Sequence, residues 1–96
     1  MIEEVARQLE ALGNVTRLAA YRLLVRAGPN GLAVGALQSA LGIPASTLSH
    51  HLHRLLAVEL VSQERHGTVL VCRANFAAMT GVVEFLSSEC CLDAQD

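Results

Sequence analysis

The sequence predicts a mainly α-helical domain with one small β-hairpin, arranged as a winged helix-turn-helix. Three observations carry this. Short helical stripes of apolar residues are separated by Gly and Pro; one pair of them is joined by the tight turn Gly42-Ile43-Pro44; and the period changes to a strand-like one after Ala57 before a last helical stripe begins at Asn75. The order is helix, helix, helix, helix, strand, strand, helix, within a single domain spanning residues 1–96.

The first helix runs from Glu3 to Leu12 with Val5, Leu9 and Leu12 on one face, and Gly13 ends it. Asn14 suits the cap of a second helix, Val15 to Ala27, with Leu18, Tyr21, Leu24 and Val25 inside and Arg17, Arg22 and Arg26 towards solvent. Gly28-Pro29-Asn30-Gly31 breaks the chain. A short third helix, Val34 to Leu41, stops at Gly42, where a positive φ is cheap for glycine, and Pro44 suits the start of the fourth. Helix, glycine turn, helix is the helix-turn-helix pattern.

The fourth helix, within Pro44 to Leu56, places Leu48, Leu52, Leu55 and Leu56 towards a core. Ser46, Thr47, Ser49, His50 and His53 face away from it, rich in hydrogen-bonding groups and without a single acid. A merely solvated helix more often mixes Lys and Glu there; this face suits the major groove of DNA. Val61 to Arg65 and Thr68 to Arg73 read as two strands turning at His66-Gly67, which is the wing. Asn75 to Glu89 is helical, with Phe76, Met79, Val82, Val83 and Leu86 in a stripe, and residues about 90–96 read as a flexible tail.

Composition restricts the function classes. The chain is 52% hydrophobic, more than one core of this size hides, so a homodimer is expected. The apolar runs are too short for a membrane span, and the acidic start Met1-Ile2-Glu3-Glu4 lacks the basic region of a signal peptide, which points to the cytoplasm. Net charge is −2 and the seven basic residues are all Arg, so DNA binding cannot rest on bulk charge. The distribution helps: His50, His51, His53 and His66 fall in one segment with Arg54 and Arg65, while most acids lie near the termini. No nucleophile–base pair or phosphate loop is present, so no enzyme is expected.

With these elements in place, three stretches resemble the ArsR/SmtB family of bacterial repressors. Ala11-Leu12-Gly13-Asn14-Val15-Thr16-Arg17-Leu18 looks like its "LADPTRL" opening, Ser46-Thr47-Leu48-Ser49-His50-His51-Leu52 like its "STVSRHL" recognition helix, and Leu60 through Val71 like its wing. The resemblance covers about residues 5–91 and implies a homodimer that represses transcription until a metal, metalloid or thiol oxidant lowers its affinity for operator DNA. It implies a dimer interface of Val5, Leu9, Leu12, Phe76, Met79, Val83 and Leu86. It implies base and phosphate contacts from Ser46, Thr47, Ser49, His50, His53 and Arg54, with Arg65 and His66 of the wing reaching backbone or minor groove.

The family's inducer sites differ between members. Where the Cys-Val-Cys arsenic site would stand, this chain has Ala33 and Gly35, and its last helix has neither the His nor the Asp of the zinc site. What remains is Cys90-Cys91 directly after that helix, as in several ArsR-like arsenic sensors, with Cys72 at the end of the second wing strand. Adjacent thiolates are soft ligands suited to trivalent arsenic, whereas Cys72 is equally readable as a small core residue. Three-thiol sensors often add a third Cys further along the tail, and none follows here before Asp96. The helix between Cys72 and Cys90 is about 22 Å long at 1.5 Å per residue, so they cannot meet within one subunit. Antiparallel packing of the last helices, as in the family, would bring Cys72 towards Cys90 and Cys91 of the partner subunit. With two thiols alone, the site suits methylarsenite, which has two exchangeable positions.

The function expected is therefore a repressor released by arsenite or methylarsenite. Two alternatives stand beside it: a repressor of the same fold switched by thiol oxidation or persulfide, and a winged helix that binds a protein instead of DNA.

Overall fold

The computed structural model describes residues 1–95. Its elements are α1 (Ile2–Leu12), α2 (Val15–Ala27), a 3-10 turn (Gly28–Asn30), β1 (Leu32–Ala33), α3 (Val34–Leu41), α4 (Ala45–Ala57), β2 (Val61–His66), β3 (Val69–Ala74) and α5 (Phe76–Ser87). This is the winged helix-turn-helix expected, with one strand more than the sequence disclosed. β1 pairs antiparallel with β3, Leu32 opposite Cys72 and Ala33 opposite Val71, so the sheet order is β1-β3-β2. Two residues cannot show an alternation of their own; the free edge of β3 makes them a strand. Gly31 permits the approach, since a Cβ there would lie 2.1 Å from the Cys72 carbonyl oxygen, and its φ is 68°.

Local chemistry sets the helix ends. The Asn14 side chain accepts a hydrogen bond from the Arg17 amide at 3.0 Å and opens α2. Gly42 closes α3 in the left-handed conformation, φ 64°. Asn75 caps α5 through the Ala78 amide, and its own side chain donates to the Glu59 carbonyl, stitching the α4–β2 turn to the last helix. α5 stops at Ser87, short of the expected Glu89. The hydroxyls of Ser87 and Ser88 turn back onto the carbonyls of Val83, Glu84 and Phe85, competing with the helical ladder. The hairpin loop is Gly67-Thr68, one residue later than expected, because His66 still pairs with Val69.

The core joins Tyr21 and Leu24 of α2, Leu37 of α3, Leu48, Leu52 and Leu55 of α4, and Leu60, Val61, Cys72 and Ala74 of the wing root. Leu24, Leu37, Leu48 and Leu55 are fully sealed, and each such side chain contributes about 1.5–3 kcal/mol by leaving water. Two assignments on α2 are corrected. Leu18 is 44% exposed, whereas Arg17, expected towards solvent, is only 9% exposed. The buried stripe of this helix is Arg17, Ala20, Tyr21 and Leu24, a run at i, i+3, i+4, i+7 that leaves Leu18 off the face.

After α5 the chain continues in successive turns, with Cys90, Leu92 and Ala94 amides bonded to the carbonyls of Ser87, Glu89 and Cys91. The last residue of the tail expected at 90–96, Asp96, lies outside the described residues. Among the described residues no helix is long and apolar enough to cross a membrane.

Two substitutions test this packing by urea denaturation. The Tyr21 hydroxyl is buried without a hydrogen-bond partner among the described residues, and burial raises its pKa. Tyr21→Phe is therefore expected to leave stability unchanged or raise it by up to about 1 kcal/mol; a loss of that size would mean the hydroxyl has a partner. Gly31→Ala is expected to cost about 2 kcal/mol or more, because β1 must move away from β3.

Candidate nucleic-acid interface

α4 lies against α1, α2 and β2. Its leucines fill the core, and Ser46, Thr47, Ser49, His50 and His53 are all exposed on the outer side. Pro44 occupies the cap position and no side chain caps the helix. The first-turn amides, beside the hydroxyls of Ser46 and Thr47, therefore remain available to solvent or to an anion, at the positive end of the helix dipole. A shallow cleft between α4 and the wing is lined by Ser49, Leu52, His53, Leu56, Gln63 and Leu70, so the outer face of the helix and the hairpin form one continuous surface.

The charged residues are more committed than the sequence implied. Arg54, expected at DNA, points its Nη2 to Glu10 Oε1 on α1 at 3.3 Å. On the wing, His66 Nε2 lies 2.7 Å from Glu64 Oε1, and Arg73 Nη1 lies 3.6 Å from Glu64 Oε2. Arg73 also donates from Nε to the Pro29 carbonyl at 3.1 Å, tying the wing root to the break after α2. Arg65 is exposed and has no ion pair or side-chain hydrogen bond among the described residues, which makes it the free cation of the wing. Of the residues expected at DNA, the hydroxyls, His50, His53 and Arg65 are presented freely, while Arg54 and His66 are already engaged with acids.

Arg17 and Gln8 hold α4 in place and were not anticipated, whereas His51 was expected to turn towards the core. Arg17 Nε donates to the Ala11 carbonyl at 2.6 Å, and its Nη1 lies 3.4 Å from His51 Nδ1. Gln8, buried on α1, donates to the Val58 carbonyl just beyond α4 at 3.3 Å. The spacing of Arg17 from Tyr21 and Leu24 was the available signal for its burial; nothing local marks Gln8. Burial and the nearby Arg17, His50 and Arg54 charges lower the pKa of His51.

The thiols separate into two kinds. Cys72, expected as a possible ligand offered to a partner subunit, is instead 0% exposed inside its own core, opposite Leu32, and accepts a hydrogen bond from Gln63 Nε2 at 3.3 Å. Burial raises its pKa, so it stays a thiol. Cys90 and Cys91 are exposed, and their sulfurs stand 3.4 Å apart. Glu89 and Cys91 both adopt positive φ, 59° and 64°, so the chain bends on either side of Cys90. Among the described residues, no three His, Cys, Asp or Glu side chains gather in a metal-binding cluster.

The expected dimer face divides as well. Val5 is buried by its own chain, and Leu12, Phe76 and Met79 lean on the core. Leu9, Val83 and Leu86 remain exposed, joined by Met1, Ile2 and Leu92. This apolar surface on α1, α5 and the tail is left uncovered by the protomer.

Residues 12–64 match the family model described as a helix-turn-helix domain. No curated protein matches the chain. Among solved structures, the chain is similar to the homodimeric winged helix-turn-helix DNA-binding domain of a possible ArsR-family transcriptional regulator from Mycobacterium bovis, at 31% identity over 92% of this chain and 82% of that one, with a TM-score of 0.72. It is similar to NolR from Sinorhizobium fredii at 32% identity, covering 90% and 83% of the two chains, TM-score 0.72. The transcriptional repressor BigR from Xylella fastidiosa aligns at 30% identity over 98% of this chain and 91% of its own, also with a TM-score of 0.72.

The ion pairs lead to a prediction on salt dependence. On duplex DNA, Arg65→Ala is expected to reduce the slope of log affinity against log salt by about 0.9 for each protomer, one phosphate contact. Arg54→Ala should change it less, because Glu10 already holds that guanidinium. Equal losses in the two variants would show that the Arg54–Glu10 pair opens on DNA.

Proposed function

The chain belongs to the ArsR family of winged helix-turn-helix transcriptional regulators, and on that premise we propose a homodimeric repressor that a trivalent arsenical releases from its operator. The observation that carries the arsenical is the pair of exposed sulfurs of Cys90 and Cys91, 3.4 Å apart at the end of α5. A soft centre bonded to both at about 2.3 Å, the length of a zinc–thiolate bond, and with a near-right angle between the bonds needs sulfurs about 3.3 Å apart. A direct disulfide fits less well. Adjacent Cα atoms are about 3.8 Å apart, below the 4.4–6.8 Å usual for a disulfide, so that bond would be strained.

With Cys72 sealed in the core, the site has two thiols. That favours methylarsenite over arsenite, because a methylated arsenical has two positions to exchange and keeps no third one for a protein sulfur. As the two sulfur–arsenic bonds form, the two arsenic–hydroxyl bonds break and leave as two waters that carry the thiol protons, with arsenic trivalent throughout.

Repression would use the outer face of α4, with Ser46, Thr47, Ser49, His50 and His53 at bases and phosphates and Arg65 at the adjacent backbone. The exposed apolar residues of α1 and α5 form the dimer contact, which presents two copies of α4 at half-sites one helical turn apart. Gln8 and the Arg54–Glu10 pair tie α1 to α4 and its end. An arsenical bound at the end of α5 that re-seats the dimer helices therefore turns each recognition helix with them, and the half-site spacing is lost.

The test begins with duplexes selected by the protein from a random-sequence pool. A palindrome with half-sites about 10 base pairs apart is expected. Methylarsenite, arsenite and hydrogen peroxide are then added separately to the complex. Release by methylarsenite at the lowest concentration is expected, abolished in Cys90→Ser/Cys91→Ser and retained in Cys72→Ala. Release of the double variant by either arsenical would remove the pair from the sensor, and release by peroxide alone would make the chain a redox switch.

A further inference from the structure

α4 presents His50 and His53 outwards, but His51 is half-buried on its inner side against Arg17. A guanidinium is always protonated and only donates. The contact at 3.4 Å therefore uses the lone pair of His51 Nδ1, which leaves the ring neutral with its proton on Nε2. Protonating Nδ1 removes that acceptor, aims a hydrogen at Nη1 and sets a second positive charge beside a buried one.

The surroundings offer no relief. From α2 the ring faces Arg17, and its own helix adds His50 and Arg54. On α1, Glu10 is held by Arg54. On β2, Glu64 is held by His66 and Arg73, and the remaining charged group is Arg65. α3 carries no titratable side chain. Burial and these cations act in the same direction and favour the neutral ring.

We propose that His51 is a positioning residue for DNA recognition: neutral, it completes with Arg17 the seat that holds α4 against α1 and α2; protonated, it leaves that seat and gives DNA binding an acid limit. The inference rests on α4 as the DNA-contacting helix. Its sign follows from linkage. A histidine whose pKa is lowered by folding supports the fold above the ordinary value of 6.5, and that support is lost as pH falls below 6.5 and through the folded value. His50 and His53, which face outwards, are the same in parent and variant, so the inner ring is read by difference.

His51→Asn supplies that difference, since its amide oxygen stands where Nδ1 does and can accept from Arg17 but gains no charge. Affinity for the selected duplex is measured for parent and variant at fixed ionic strength from about pH 8 to about pH 5. The parent's affinity relative to the variant's is expected to fall several-fold towards acid, and the thermal midpoints without DNA should diverge the same way. Long-range nitrogen–proton spectra of the parent should show His51 with Nδ1 bare and Nε2 protonated. A flat ratio with parallel midpoints, or an Nδ1–H tautomer, would overturn the proposal. The spectra decide it even where the variant does not fold. A chain that selects no duplex loses the DNA reading, while tautomer and midpoints still judge the seat.

Discussion

The pose of α4, the proposed recognition helix, depends on one buried cation. Arg17 enters the interior from the first turn of α2, where its own amide is taken by the cap residue Asn14. A buried charge is tolerated only when its donors are satisfied, and the structure satisfies this one with a carbonyl and an imidazole instead of a carboxylate. The carbonyl belongs to the end of α1 and the imidazole to the middle of α4. One side chain thereby sets three helices relative to one another, with directional bonds where leucine packing alone would allow sliding. Together with the Gln8 bond to the Val58 carbonyl, it helps seat α1 on α4, where Ala11 and Gln8 are buried although the outer side of the helix is exposed.

Electrostatics gives the DNA face an unusual character. Three arginines are committed inside the protomer, to Ala11, to Glu10 and to Glu64 with Pro29. The surface proposed to meet DNA is mostly neutral donors and acceptors on α4, with Arg65 beside it. Such a face gains little from counterion release and depends more on hydrogen bonds matched to base edges. The pairing of Glu64 with His66 and Arg73 has a related effect, since it places a compensated acid where a bare positive wing would attract any duplex.

How much was legible in the sequence follows from the range of each signal. α2, α3 and α4 were placed from leucine spacing, Asn14, Gly42 and Pro44, because those signals act within a turn or two of helix. β1 was hidden, because its only cause is the edge of β3 some forty residues away. Arg17 escapes a reading in which charge faces solvent, although its spacing from Tyr21 and Leu24 puts it on the buried stripe. The same holds for the site. The outward hydroxyls and imidazoles follow from helical phase and could be read. The capture of Arg54 by Glu10 and of His66 by Glu64, and the burial of Cys72, depend on which elements meet in space, and no local pattern encodes that.

The short strand β1 has a mechanical consequence. It covers β3 only opposite Cys72 and Val71, so the hairpin is triple-stranded midway along β3 and double-stranded from Leu70 to the turn. Val69, near the turn, is 46% exposed and its strand edge is bare. A ribbon clamped at one end and free at the other bends where the clamp stops, so flexing concentrates around Leu70. The cantilever that results carries Arg65 and His66 near its free end, and in the proposed complex it would follow grooves of different width without disturbing the sealed thiol and leucines at its anchorage.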